Sequence, residues 1–181
     1  LPLTLRSLAI SSDHDVDSSS PGDTESTADA LSTPLAVHWP PSLTQLELAL
    51  DFSREQLAAL FACDLPVTLR SLHLNLLAIL ALPVLSQLTR LETLEISVSS
   101  EGPSTLRTDV VSQLPGSLTT FSARVKMDCN CLAVLPKGLR SLSVYIAEEN
   151  VRASQLVQLP TTLTRLILDT TILETETRGL S

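Results

Sequence analysis

The chain has 181 residues, of which 44% are apolar but only 3% aromatic, so leucine must supply most of any core. Its formal net charge of −8 provides no basic field for phosphates, which argues against a nucleic-acid or anionic-membrane surface. No apolar run reaches the roughly 18 residues of a membrane span. The longest run, Leu74 to Leu85, is short and is interrupted by Asn75 and Pro83.

One eight-residue phrase recurs along the chain. It reads LPLTLRSL from Leu1, LPVTLRSL from Leu65 and LPKGLRSL from Leu135. The wider pattern apolar-Pro-x-x-Leu-x-x-Leu-x-apolar fits seven stretches wholly or in part, with the shared Leu at 5, 43, 69, 91, 118, 139 and 163. From Leu43 to Leu163 there are five periods in 120 residues, a mean of 24. Such a period is typical of stacked structural repeats.

Each copy predicts one β-strand with a single buried face, because apolar residues alternate after the Pro. Proline fixes φ and lacks an N–H, so we place it before the strand ladder. The predicted inward side chains are Leu46, Leu48, Leu50; Leu72, Leu74, Leu76; Leu94, Ile96, Val98; Phe121, Ala123, Val125; Leu142, Val144, Ile146; Leu166, Leu168.

Residues 11–30 interrupt the repeat after the first copy. They are rich in Ser, Asp and Thr, and they lengthen the first spacing to 38 residues. Such a composition cannot bury enough surface to offset the entropy of ordering. We expect a flexible acidic insertion. Asp13, Asp15 and Asp17 resemble half a calcium loop, but Ser18 replaces the required Gly and Thr24 the acidic twelfth residue.

Short helices are predicted between the strands. Ser53 to Gln56 reads as a capping box before an apolar helical face. Leu77 to Leu88 predicts a buried helix broken at Pro83. A helix from Thr108 or Asp109 to Gln113 and another over Glu149 to Gln158 follow further on.

The repeat resembles the leucine-rich-repeat superfamily over the whole chain except residues 11–30. Its Leu-Pro-x-x-Leu phrase is similar to that of secreted bacterial effectors. Pro40 to Leu46 is similar to the Pro-x-Ser-Leu-Thr-x-Leu phrase of FNIP-type repeats of amoebae. The chain lacks the Phe-Asn-x-Pro tetrad and the constant spacing of that subgroup, so no subgroup is assigned.

The resemblance implies an α/β class and a single domain, residues 1–181, of about seven repeats. A curved parallel sheet would line the concave face, with short helices or turns on the convex face. Most such repeats carry a laddering Asn after the strand. Here the equivalent positions hold Asp51, Leu77, Ser99, Lys126, Ala147 and Thr171. We therefore expect slightly longer strands and other hydrogen-bond partners for the turns.

The outward strand positions are the candidate binding residues, because they have no core to fill. Glu47, His73 and Glu95 lie in the first half, and Arg124, Tyr145 and Arg165 in the second. A partner whose charges run the opposite way would fit this surface, and Tyr and Arg are favoured at interface hot spots. For any one residue, an ordinary solvated sheet position is the simpler interpretation.

The sequence gives little support for a catalytic or metal-binding site. The three cysteines, Cys63, Cys129 and Cys131, are an odd number, and a bridge between Cys129 and Cys131 would be strained. Cys129 and Cys131 also lack a second ligand pair for zinc. His38 precedes a predicted strand, where a structural role is simpler. Reduced thiols favour a cytoplasmic location. We predict no enzyme activity, no cofactor and no metal.

The predicted function is therefore protein–protein interaction through the concave face. The alternative is that the chain is the substrate-recognition segment of a larger enzyme such as a ubiquitin ligase. A third interpretation is a structural spacer in a longer array. Leu1 already lies within a repeat, so we expect the sequence to be part of a longer chain.

Overall fold

The computed structural model describes residues 4–11, 38–49, 65–76, 85–98, 105–146 and 152–170. These parts form one parallel β-sheet whose main strands follow the chain in order. A short strand, Thr105–Leu106, pairs with the end of the sixth strand, beyond the residues that pair with the fourth strand. The strands are β1 (Ser7–Ser11), β2 (Gln45–Ala49), β3 (Ser71–Leu76), β4 (Thr93–Val98), β5 (Thr105–Leu106), β6 (Thr120–Met127), β7 (Ser141–Ile146) and β8 (Arg165–Thr170).

Short helical segments connect these strands. The structure has α1 (Thr108–Val111), α2 (Ala153–Leu156) and 3₁₀ segments at Leu85–Gln87 and Cys129–Val134. The start predicted at Thr108 is confirmed, but the end predicted at Gln113 is wrong. The N–H groups of Gln113 and Leu114 instead donate to carbonyls three residues back, which tightens the chain into turns.

The second predicted helix, over 149–158, is also shorter, because α2 spans only 153–156. The capping box at Ser53, residues 77–84 of the predicted buried helix and residues 12–30 of the predicted insertion lie outside the described residues. The start of the insertion predicted at Ser11 is wrong, because Ser11 belongs to β1. Within the described part, no helix is long and apolar enough to cross a membrane.

The strands are in phase because every copy places its apolar residues at the same distance from the shared Leu. Leu46 faces Leu72, and Leu72 faces Leu94 across neighbouring strands. This row continues through Phe121 to Leu142, and all five side chains are at most 2% exposed. The predicted stacking of apolar side chains from consecutive copies is confirmed for β2 to β7.

The last copy departs from this pattern. Leu166 of β8 pairs in register with Leu142, yet it is 42% exposed whereas Leu142 is fully buried. The expectation that Leu166 is buried is therefore wrong. No described strand lies on the far side of β8, so its apolar side chains have a neighbour on one side only.

The repeated phrase forms a turn that leads into each strand. The N–H of the shared Leu donates to the carbonyl three residues earlier, as in Leu43 to Pro40 and Leu69 to Pro66. The carbonyl one residue after the shared Leu then accepts two N–H groups from the next copy. Arg6, Thr44, Arg70, Glu92, Thr119 and Arg140 all accept in this way.

Side-chain hydroxyls join the turn of one copy to the turn of the copy before it. The residue before the shared Leu donates to the carbonyl of the shared Leu in the preceding copy. Ser42, Thr68, Ser117 and Thr162 reach Leu5, Leu43, Leu91 and Leu139 at 2.9, 2.8, 2.8 and 2.7 Å. Arg90 and Gly138 occupy the same position in two further copies and have no hydroxyl.

A bulge in β6 shifts its register against β7. Ala123 pairs with Val144, but the next pair joins Lys126 to Tyr145. Val125 and Met127 remain buried on the core side, so the alternation of β6 continues through the bulge. Alternation thus places a second basic side chain, Lys126, on the outward side of β6, and the bulge pairs it with Tyr145.

Candidate functional site: the polar face of the sheet

The candidate site is the side of the sheet that faces away from the core, which we name the polar face. Period-two alternation sends every other side chain to this side. Its first row is Ser7, Gln45, Ser71, Thr93, Thr120, Ser141 and Arg165; its second row is Ala9, Glu47, His73, Glu95, Ser122, Ser143 and Ile167. Its third row is Ser11, Ala49, Asn75, Ser97, Arg124, Lys126, Tyr145 and Asp169.

Two carboxylates flank a histidine on the first half of the polar face. The register places His73 directly between Glu47 on β2 and Glu95 on β4. Nδ1 of His73 lies 3.7 Å from Oε1 of Glu47, and the two side chains are 38% and 53% exposed. At that distance and exposure the pair contributes little to stability. Both groups therefore remain accessible to a partner.

A depression of about 230 Å³ opens above this trio. Its volume is below the roughly 300–1,000 Å³ that is common for small-molecule pockets. It suits a single inserted side chain better than a free ligand. Its lining comes from the first two rows of β1 to β4 and from the core-side Leu between them, namely Ser7, Leu8, Ala9, Gln45, Leu46, Glu47, Ser71, Leu72, His73, Thr93 and Glu95.

Basic side chains dominate the second half of the polar face. Nε of Arg124 lies 3.7 Å from Oε1 of Glu95, which links the two halves. Within the described ranges, Lys126 and Arg165 take part in no ion pair. Tyr145 lies in register between Lys126 and Asp169. Apart from Asp169 on β8, the exposed charges are thus segregated across the strands, with the carboxylates on β2 and β4 and the cations on β6 and β8.

The six candidate residues lie on one face but do not form one cluster. Glu47, His73 and Glu95 are contiguous, and Arg124 joins them through Glu95. Tyr145 and Arg165 are separated, because Arg165 pairs with Ser141, four residues before Tyr145. That offset is about 13 Å along the strand.

Lys126 lies on the polar face, although the sequence analysis placed it after the strand. Counting from the shared Leu put Lys126 in the turn after the strand. The signal that could have revealed it is Met127, which continues the apolar alternation of Phe121, Ala123 and Val125 by one more step. That continuation predicts an eight-residue strand with Lys126 facing outward.

The cysteines that the structure describes lie away from the polar face, in the 3₁₀ segment that follows β6. Cys129 and Cys131 are both reduced and buried. Nε2 of Gln155 donates to Sγ of Cys129 at 2.7 Å, and the thiol of Cys131 donates to the carbonyl of Leu106 at 3.4 Å. Burial raises the pKa of the Cys131 thiol above its ordinary value, which disfavours the nucleophilic thiolate.

The described residues give no support for a metal-binding site. No group of three or more His, Cys, Asp and Glu side chains among them is placed to hold a metal ion. His38 is exposed in the segment before β2. The stretch from Asp13 to Asp17, which resembles half a calcium loop, lies outside the described residues.

Comparisons with known proteins add no relative. No family model matches the sequence, and searches of curated proteins and of solved structures likewise find no match. The repeat phrase and the geometry of the polar face are therefore the observations on which a function must rest.

Proposed function

We propose that the protein is a leucine-rich-repeat solenoid that binds a protein partner on the polar face, which would be its concave side. The strands run parallel in chain order, and each begins with the same turn phrase. Stacked repeats of this kind bury a continuous apolar row and commonly use the exposed sheet face for binding. The assignment to this class rests on that repeat geometry.

The observation that carries the binding function is the composition of the polar face. It combines a depression of side-chain size with exposed charges that pair only loosely, at 3.7 Å. Loosely paired exposed charges lose little when a partner replaces them. Tyr145 and Arg124 add the side-chain types that are enriched at interface hot spots.

A peptide-display selection would test this function. We would select a library of random 16-residue peptides against the 181-residue protein and measure binding of the enriched peptides to variants. The double variant Tyr145→Ala plus Arg124→Glu should weaken binding at least about tenfold, since central aromatic and Arg contacts dominate interface energy.

A matched control carries the same types of change away from the polar face. Val67 and Lys137 are exposed in the turns before β3 and β7. The variant Val67→Ala plus Lys137→Glu should leave binding unchanged. Enriched peptides that bind the polar-face variant as well as the wild type would contradict the proposal.

A further inference from the structure

We propose that the polar face recognises an extended partner segment that crosses the strands and carries a basic and an acidic residue about four positions apart. This inference rests on the proposed binding function and adds the charge order and spacing of the partner. It follows from the segregation of charge across the sheet, from the depression and from the bulge in β6.

The basic residue of the partner belongs in the depression. Glu47 and Glu95 both line it, and they lie on the strands on either side of β3. A Lys or Arg that enters between them can reach either carboxylate. In addition, Arg124 already approaches Glu95 from the neighbouring strand at 3.7 Å. This contact shows that a cation is accommodated beside the depression.

The acidic residue of the partner belongs over the bulge. β-Bulges re-aim side chains and occur often next to functional sites. Here alternation gives β6 two outward cations and the bulge aligns them with different strands, Arg124 with β4 and Lys126 with β7. Tyr145 stands opposite Lys126 and offers a phenolic hydroxyl to the same acceptor. A carboxylate between Lys126 and Tyr145 would meet a positive charge and a hydrogen-bond donor.

The floor between these two points suits an extended backbone. Ser97 in the third row of β4 and Ser122 in the second row of β6 lie between these two points, beside the Glu95–Arg124 pair, and both are half-buried hydroxyl residues. Short side chains let a partner backbone approach the sheet. Their hydroxyls can donate to or accept from its free amide groups. Large side chains in these positions would instead hold the partner away.

The spacing of the partner charges follows from sheet dimensions. The two carboxylates that would hold the basic residue, Glu47 and Glu95, flank β3, and the Lys126–Tyr145 pair lies between β6 and β7. Across the sheet the two points are two and a half strand spacings apart, and along the strands they are one row apart. These perpendicular offsets combine to a separation of about 14 Å. An extended chain covers that distance in about four residues, which also returns the side chain to the same face of the segment.

The test uses the peptides enriched by display and a single charge reversal. Some enriched peptides will bind less well to the polar-face variant Tyr145→Ala plus Arg124→Glu, and we say that these require the polar face. Among them we expect a Lys or Arg four positions from an Asp or Glu, in either chain direction. Glu47→Lys should weaken such a peptide about tenfold, as expected for loss of one charge contact plus repulsion. Replacing the basic residue of the peptide with Glu should restore binding to this variant.

Asp109→Lys is the matched control, because it makes the same charge change on exposed α1, away from the polar face. It should change binding less than twofold. Peptides that require the polar face but lack the spaced charge pair would overturn this inference and leave the proposed function standing. If no enriched peptide requires the polar face, both are overturned. Equal losses of peptide affinity in Glu47→Lys and Asp109→Lys would show that the effect depends only on net charge. That result would overturn the inference.

Discussion

At the scale of single residues, a hydroxyl ladder joins one copy of the repeat to the next. Thr68 illustrates it, because its Oγ1 donates to the carbonyls of Pro41 and Leu43 in the preceding turn at 2.9 and 2.8 Å. Turn carbonyls must find partners where they are shielded from water. A Ser or Thr side chain before the shared Leu donates this hydrogen bond without disturbing the backbone.

Gly138 leaves a gap in this ladder that a substitution can fill. A Cβ built at Gly138 would lie 3.5 Å from the carbonyl oxygen of Gly116 and 3.9 Å from that of Leu118, which are ordinary contacts. Those two oxygens correspond to the acceptors of Thr68. The position has no left-handed φ, so a side chain there adds no backbone strain.

We predict that Gly138→Ser stabilises the protein by about 1–2 kcal/mol. The new hydrogen bond contributes about 0.5–1.5 kcal/mol, and the loss of glycine restricts the unfolded chain by about 0.4–1 kcal/mol. The free energy of unfolding from urea denaturation measures the change.

Gly116→Ser is the control for the glycine term. A Cβ at Gly116 would meet nothing within 4 Å, so the substitution gains no hydrogen bond. We expect it to stabilise by about 0.4–1 kcal/mol only. Equal gains for the two substitutions would show that the hydroxyl at position 138 does not join the ladder.

At the scale of the strand, equivalent positions of the repeat differ in what covers them. Leu94 in β4 has strands on both sides and is fully buried. Leu166 in β8 holds the same position of the repeat but is 42% exposed. The contribution of a Leu side chain to folding stability therefore depends on where its strand lies in the sheet, although the sequence phrase is nearly the same.

We predict that Leu94→Ala destabilises the protein by about 2–5 kcal/mol, because it leaves a cavity in a packed row. Leu166→Ala should cost about 1 kcal/mol, since much of that side chain already meets water. Urea denaturation of the two variants provides the comparison. A loss at Leu166 as large as at Leu94 would mean that β8 is covered in solution.

At the scale of the whole molecule, the sheet is held together by contacts between neighbours. The extensive contacts between described strands all join strands that are adjacent in the sheet. In such an arrangement the inner strands are supported on two sides and β1 and β8 on one. Local opening should then cost less at the two edges than in the middle.

Hydrogen exchange should reveal this gradient. We predict that backbone amides of β3, β4, β6 and β7 exchange at least about tenfold more slowly than those of β1 and β8, because edge strands open without disrupting the middle. Mass spectrometry of peptides after timed exchange gives the rates. Uniform protection across the sheet would instead indicate that the described strands open as one unit.

The sequence by itself determined the strands, the buried rows and most of the polar face. These follow from local patterns: the shared Leu marks each turn, and period-two alternation assigns each side chain to one side of its strand. All six candidate binding residues lie on the predicted face for that reason. The hydroxyls before the shared Leu were visible too, but their acceptors in the preceding copy were not.

Only the tertiary structure decided how neighbouring strands align and what covers their ends. The bulge in β6 depends on pairing with β7, and it brings Lys126 rather than Arg124 beside Tyr145. The depression depends on four strands together, and the exposure of Leu166 depends on what lies next to β8. A repeat pattern describes each strand alone, whereas register and burial are set by the neighbours that each strand meets.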